Sequence, residues 1–234
     1  MEQLSCVVYL VIVLEISSAI IGTVYYKKNN KQDTSVKYLV LLLWINVLFE
    51  IFALLPYAIN TFEELFFLKN TIFDKNTWLF NISILLSYIL YILYFRSNLN
   101  NKTSKKGLTI LVYLFIISTI SNLIFSDVFF NELSTLTDVF GSLALLLSVL
   151  LYFHEVLLSE KILVFYKLLA FYIAIGALVF HLVITPIDIY FQYSKKLNSD
   201  FFKFRSIILY SANIFMYTCY IIGFIVCLRK NKSY

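Results

Sequence analysis

The sequence predicts an all-α integral membrane protein: a bundle of seven transmembrane helices, amino terminus outside and carboxyl terminus in the cytoplasm. Three observations carry this expectation. Hydrophobic residues fill 61% of the 234 positions and charged residues 14%, where a soluble domain carries about 25% charged residues. Seven apolar runs of about 20 residues, each able to cover ~30 Å of hydrocarbon, are separated by short polar joins. Lys and Arg fall unevenly on alternate joins, thirteen of the 19 on one side and six on the other; the richer side faces the cytoplasm. The poorer side carries Lys69, Lys75, Lys195, Lys196, Lys203 and Arg205.

The spans run over 4–26, 38–59, 77–95, 108–126, 137–158, 168–190 and 205–228, in a single membrane domain over 1–234. Met1-Glu2-Gln3 lacks a positive n-region and the first apolar run is long, so a retained helix is expected in place of a cleaved signal peptide. The expected location is the cell (inner) membrane, crossed several times. The segment Thr61 to Asn76 mixes Phe and Leu with acids and suits either a short interfacial helix or an anchored loop. Tyr25, Tyr26, Tyr57, Trp78, Tyr94, Tyr190 and Tyr193 fall near span ends and read as interfacial anchors.

Composition also excludes classes. Cys6, Cys219 and Cys227 are odd in number, sit in apolar stretches and form no C-x-x-C, against a disulfide framework or a zinc site. Phosphate-loop, dinucleotide, nucleophile-elbow and H-E-x-x-H motifs are all absent from the sequence. The net charge of +5 lies in short clusters between apolar runs, a topology signal; no nucleic acid is expected as a partner. No enzyme activity, cofactor or metal is expected.

The informative residues are polar ones at membrane depth. Glu15, Glu50 and His181 fall at the middle of the first, second and sixth spans. A charged group there costs roughly 2.5–3.5 kcal/mol on insertion, so a partner, a proton or a wet cavity must offset it. Helical spacing lays out stripes: Glu15, Ser18 and Gly22 on the first span; Asn46, Glu50, Ala53 and Tyr57 on the second; His181, Thr185 and Asp188 on the sixth; Tyr210, Asn213, Tyr217 and Tyr220 on the seventh. The fifth span carries Ser148, Tyr152, Glu155 and Ser159, with His154 alongside, and the fourth only Ser118, Ser121 and Asn122. Glu15, Asn46, Glu50, His181, Asp188 and Asn213 are therefore the candidates to bind a ligand or a proton, with His154, Glu155 and Tyr152 as secondary candidates. The two carboxyls could share a proton, or one could pair with His181. Interhelical hydrogen bonding alone is the competing reading for the Asn, Ser and Tyr residues.

Pro56 and Pro186, near the outer ends of the second and sixth spans, are expected to break the last turn and serve as hinges. They lie 130 residues apart, as do Lys37 and Lys167, while Tyr88 and Tyr91 match Tyr217 and Tyr220 at an offset of 129. This suggests a repeat of spans 1–3 in spans 5–7, with the fourth as linker.

Seven spans in a 3+1+3 pattern resemble the sugar transporters with PQ-loop repeats, but no Pro-Gln dipeptide occurs here, and the seventh span lacks the lysine a microbial rhodopsin needs. LEI in the first span, YYKK after it, WINVLFE in the second, IAIGALVFH…P in the sixth and MYTCYIIGF in the seventh resemble small seven-helix proteins of AT-rich bacteria. Some of these are encoded beside sensor histidine kinases. The resemblance implies a sensing role; together with the polar stripes and short loops, the expectation is a receptor or sensor module with a polar intramembrane pocket, acting through a signalling partner protein on a small-molecule ligand. The alternative expectation is a small-solute or proton-coupled transporter or channel, and the lipid bilayer is a partner in either case.

Overall fold

The computed structural model describes residues 2–28, 33–69, 71–193 and 199–230, with side chains over 7–28, 33–69, 71–191 and 200–229. Lys31, Gln32, Lys195, Lys196 and Lys232 lie outside the described residues, as do the side chains of Cys6, Tyr193 and Lys230. Among the described residues the chain is all helical, with no strand. Nine α-helices are described: α1 (Glu2–Lys28), α2 (Thr34–Ala53), α3 (Leu55–Thr61), α4 (Thr77–Asn98), α5 (Lys102–Phe125), α6 (Val128–Asn131), α7 (Thr135–Leu157), α8 (Leu169–Tyr193) and α9 (Ser199–Lys230). Seven stretches are long and apolar enough to cross a membrane, α2 and α3 counting together as one.

Helix starts follow from local chemistry. Asp33 caps α2, its carboxylate accepting from the Ser35 and Val36 amides at 3.0 and 3.4 Å; Asn101 caps α5 and Ser134 caps α7. Pro56 sits in the first turn of α3, where its missing N–H costs nothing, and the chain changes course at Leu54. Pro186 behaves otherwise. The helix does not end there, as expected from the sequence, but runs on through it to Tyr193. The segment 61–76 forms two short 3₁₀ turns, Glu63–Leu68 and Ile72–Asp74, held back on α2 by Asn76 Nδ2 donating to Ala53 O at 2.6 Å.

Six helices close a ring in the order α1, α2, α4, α7, α8, α9 and back to α1, while α5 packs from outside on α4 and α7. The outlying helix is the fourth span, which carries hydroxyl and amide side chains but no acidic residue, basic residue or histidine. Its Ile110, Tyr113, Leu114, Ile117, Ile120 and Ile124 form an exposed apolar stripe, the face a helix turns to lipid. The polar side chains go inward: Glu15, Ser18, Asn81, Thr119, Thr137 and Ser148 are buried. The α8–α9 seam is built on small residues. A Cβ on Gly176 would stand 2.8 Å from the Tyr220 ring, and Ala174 and Ala177 are fully buried; such close approach substitutes for a hydrophobic driving force that lipid cannot supply. Tyr25 and Tyr94, expected as interfacial anchors, are buried core residues. The reason is that α1 and α4 each run two or three residues past the predicted span ends and turn these rings inward.

Candidate functional site

Between the ring helices lies a cavity of about 630 Å³. It opens at the end of the bundle that carries the 54–76 and 126–134 connections and reaches down to Tyr91, Met216 and Tyr217 near mid-depth. Its centre is a hydrogen-bonded chain. The Tyr88 hydroxyl donates to Asp138 Oδ1 at 2.7 Å and lies 3.1 Å from Nδ1 of His181. A phenol has one proton, so its use on Asp138 makes Nδ1 of His181 the donor in the second bond. Gly141, one turn below Asp138 on α7, makes this possible: a Cβ there would come within 2.2 Å of the Tyr88 ring. Tyr88 is therefore set by one small residue, one carboxylate and one imidazole on two neighbouring helices.

The mouth is held by two further sets. Arg205 Nε and Nη2 both reach Asp188 Oδ1, at 2.8 and 2.7 Å, with the guanidinium over the Phe191 ring. Asn81, fully buried, donates to the carbonyls of Phe129 and Glu132 and accepts from the Ser134 amide. That clasp fixes the connection carrying Glu132 onto α4. Deeper, Ser87 donates to Asn46 Oδ1 at 2.9 Å, and the hydroxyls of Tyr91 and Tyr220 meet at 2.7 Å across the ring.

Of the residues singled out in the sequence, Asn46, His181, Asp188 and Asn213 line this cavity. Glu15 is buried behind it, against the Tyr217 hydroxyl and within electrostatic reach of Glu50. Glu50 itself is exposed and is not part of the wall. His181 pairs with neither carboxyl; its polar partner is Tyr88. Tyr152, His154 and Glu155 lie at the opposite end. Glu155 clamps the α4–α5 turn by accepting from the amides of Asn100 and Asn101 at 2.6 and 3.1 Å; His154 is exposed.

The structure adds Tyr88, Asp138, Ser87 and Arg205 to the site. The third span showed no polar stripe in the sequence reading, yet Ser83, Ser87, Tyr88 and Tyr91 all come from it. Their spacing of four, one and three residues was the available signal. Asp138 and Arg205 stand at span ends, where a charge is ordinary; the packing of α7 and α9 in the ring makes them wall. Among the described residues no set of three His, Cys, Asp or Glu side chains converges as metal ligands.

The opposite end, among the described residues, is filled by aromatic side chains. Tyr94, Phe95, Tyr152, Tyr220 and Phe224 are buried against one another and their neighbours, with ring centroids 5.1 Å apart for Tyr94–Phe95 and 5.9 Å for Phe95–Tyr152.

These features define a class: an all-helical protein with seven stretches suited to crossing a membrane and a cavity lined by polar side chains between them. No family model matches the chain, and neither the curated proteins nor the solved structures contain a match to it.

Proposed function

We propose that the chain is a receptor-type membrane module that binds a small molecule in this cavity and passes its occupancy to a partner protein at the opposite face. The observation that carries the reading is the asymmetry of the bundle: a polar cavity of about 630 Å³ at one end, an aromatic plug at the other. Volumes of roughly 300–1,000 Å³ with a few placed polar groups suit a small ligand. By the excess of basic residues on the plugged side, that side is cytoplasmic and the amino terminus is outside; the resemblance to small seven-helix bacterial proteins supports the inner membrane as its location. A ligand bridging α7, α8 and α9 changes how those helices pack, and the short turns at 98–102 and 158–168 carry the change to the partner. Photo-cross-linkers placed at Asn101 and Lys161 in native membranes should trap a signalling protein. Recovery of no partner from either position overturns the reading.

The second reading is a small-solute transporter, and one observation favours it. Neighbour order places α1–α2–α4 and α7–α8–α9 as two equivalent triplets, with the α1–α9 and α4–α7 contacts related to each other and α5 outside. That is the arrangement expected of a parallel repeat, and the matched residues Tyr91 and Tyr220 meet between the halves. Alternating access would expose Ser148, now fully buried on the plugged side. A Ser148→Cys variant labelled from the cytoplasmic face supports transport; a thiol protected from that face at all times supports the receptor.

A further inference from the structure

We infer that the cavity is built for an organic cation, a protonated amine carrying an apolar body. This inference rests on the reading of the cavity as a ligand site. Three carboxylates stand in its wall, Glu132, Asp138 and Asp188, against one guanidinium, Arg205. That guanidinium is already engaged. Two of its nitrogens meet the same oxygen of Asp188 and its face lies on Phe191, so it offers an incoming anion little. Asp138 is different: it accepts from a neutral phenol at 2.7 Å and forms no ion pair among the described residues. His181, the imidazole on the wall, turns its Nδ1 to Tyr88 and not to a carboxylate.

An entering anion would therefore face two carboxylates, Glu132 and Asp138, that form no ion pair among the described residues, and an entering cation would find them. The rest of the wall suits the same guest. Phe80, Phe180, Tyr91 and Tyr217 contribute aromatic surface around Asp138 and the cavity floor, which binds ammonium groups by cation–π attraction and apolar bodies by burial. A bare metal ion is a poor fit, because among the described residues no three His, Cys, Asp or Glu side chains converge and the volume of about 630 Å³ far exceeds one ion. Carboxylates inside a cleft with low-dielectric walls focus their field and raise the local concentration of counter-ions by roughly 10–10³-fold.

The test uses the full chain in lipid nanodiscs, with Cys6, Cys219 and Cys227 changed to Ser and one new thiol introduced by Ser87→Cys. Its modification rate by methanethiosulfonate ethylammonium is compared with that by the ethylsulfonate, each normalised to a free thiol. The ammonium reagent should be favoured by about tenfold or more, and Asp138→Asn, which keeps an oxygen for Tyr88, should bring the ratio to within about threefold. A normalised ratio near one, or a preference for the sulfonate, overturns the cation assignment while leaving the cavity reading intact. A preference that Asp138→Asn does not change overturns the role given to Asp138. Modification by neither reagent overturns the cavity reading itself. Ser83→Cys, also in the cavity wall, carries the same comparison if Ser87→Cys does not fold.

Discussion

The two ends of this bundle are made by the same helices and are filled in opposite ways. At the open end, tyrosine hydroxyls meet side chains on other helices, Tyr88 with Asp138 and His181, and the helices stand apart around a cavity. At the plugged end, Tyr94, Phe95 and Phe224 pack as bulk, and Tyr152 buries a hydroxyl with no hydrogen-bond partner among the described residues. The Tyr91–Tyr220 pair marks the change from one regime to the other. The comparison teaches that cavity and plug are not set by composition, since both are rich in tyrosine. They are set by what each hydroxyl is given to bond with. A polar partner on a neighbouring helix stabilises a hydrated gap, and its absence leaves dispersion to close the space.

The comparison can be broken most strongly at Asn81. Its side chain satisfies three backbone groups at the cavity mouth, and buried groups left unpaired cost about 1–3 kcal/mol each. Asn81→Ala should therefore lower stability by about 3 kcal/mol, allowing for water reaching part of the clasp. Thermal unfolding in detergent measures this; a change under ~1 kcal/mol would show that the clasp does not hold the mouth. Next comes Gly141. A methyl group there collides with the Tyr88 ring, so Gly141→Ala should cost about 2 kcal/mol by overpacking. It should also displace Tyr88 from Asp138 and His181, lowering the labelling preference at a Ser87→Cys thiol by several-fold. Unfolding midpoints together with that labelling ratio check both halves of the expectation.

The smallest effect sharpens the contrast from the plugged end. Tyr152→Phe removes a hydroxyl that has no partner among the described residues, so stability should rise or stay level, by up to about 1 kcal/mol. Tyr91→Phe, which strands the Tyr220 hydroxyl, should instead lose about 1 kcal/mol. Opposite signs for the two Tyr→Phe changes, read from matched unfolding curves, support the division. Equal signs argue against it.

The second and fourth spans show what could be read beforehand. Leu39, Leu42, Leu43 and Val47 fall inward and Leu41, Leu48 and Ile51 outward on α2, as a helix in lipid with one protein-facing side requires. The fourth span has no acidic, basic or histidine side chain to turn away from lipid, which matches its place outside the ring. The candidate site was half legible. His181 and Asp188 were visible because a polar group at or near membrane depth is costly and therefore conspicuous. Tyr88 was not, because tyrosine is tolerated on lipid-facing, interfacial and buried faces alike, and eighteen of them are present. Pro186 misled for a related reason: the local penalty is real, but a helix packed in a bundle carries it without ending.

By itself, then, the sequence determined that this chain is helical, that seven of its stretches are suited to hydrocarbon, and that some of its polar groups must turn away from it. Those are consequences of transfer free energy and backbone hydrogen bonding, which act residue by residue along the chain. Tertiary structure alone decided that six helices form a ring with the fourth span excluded, and that Asp138, Tyr88 and His181, drawn from three helices, meet at one point. Which side chains face one another across a gap depends on helix order, rotation and the room left by a single glycine, and none of these is a property of any one span.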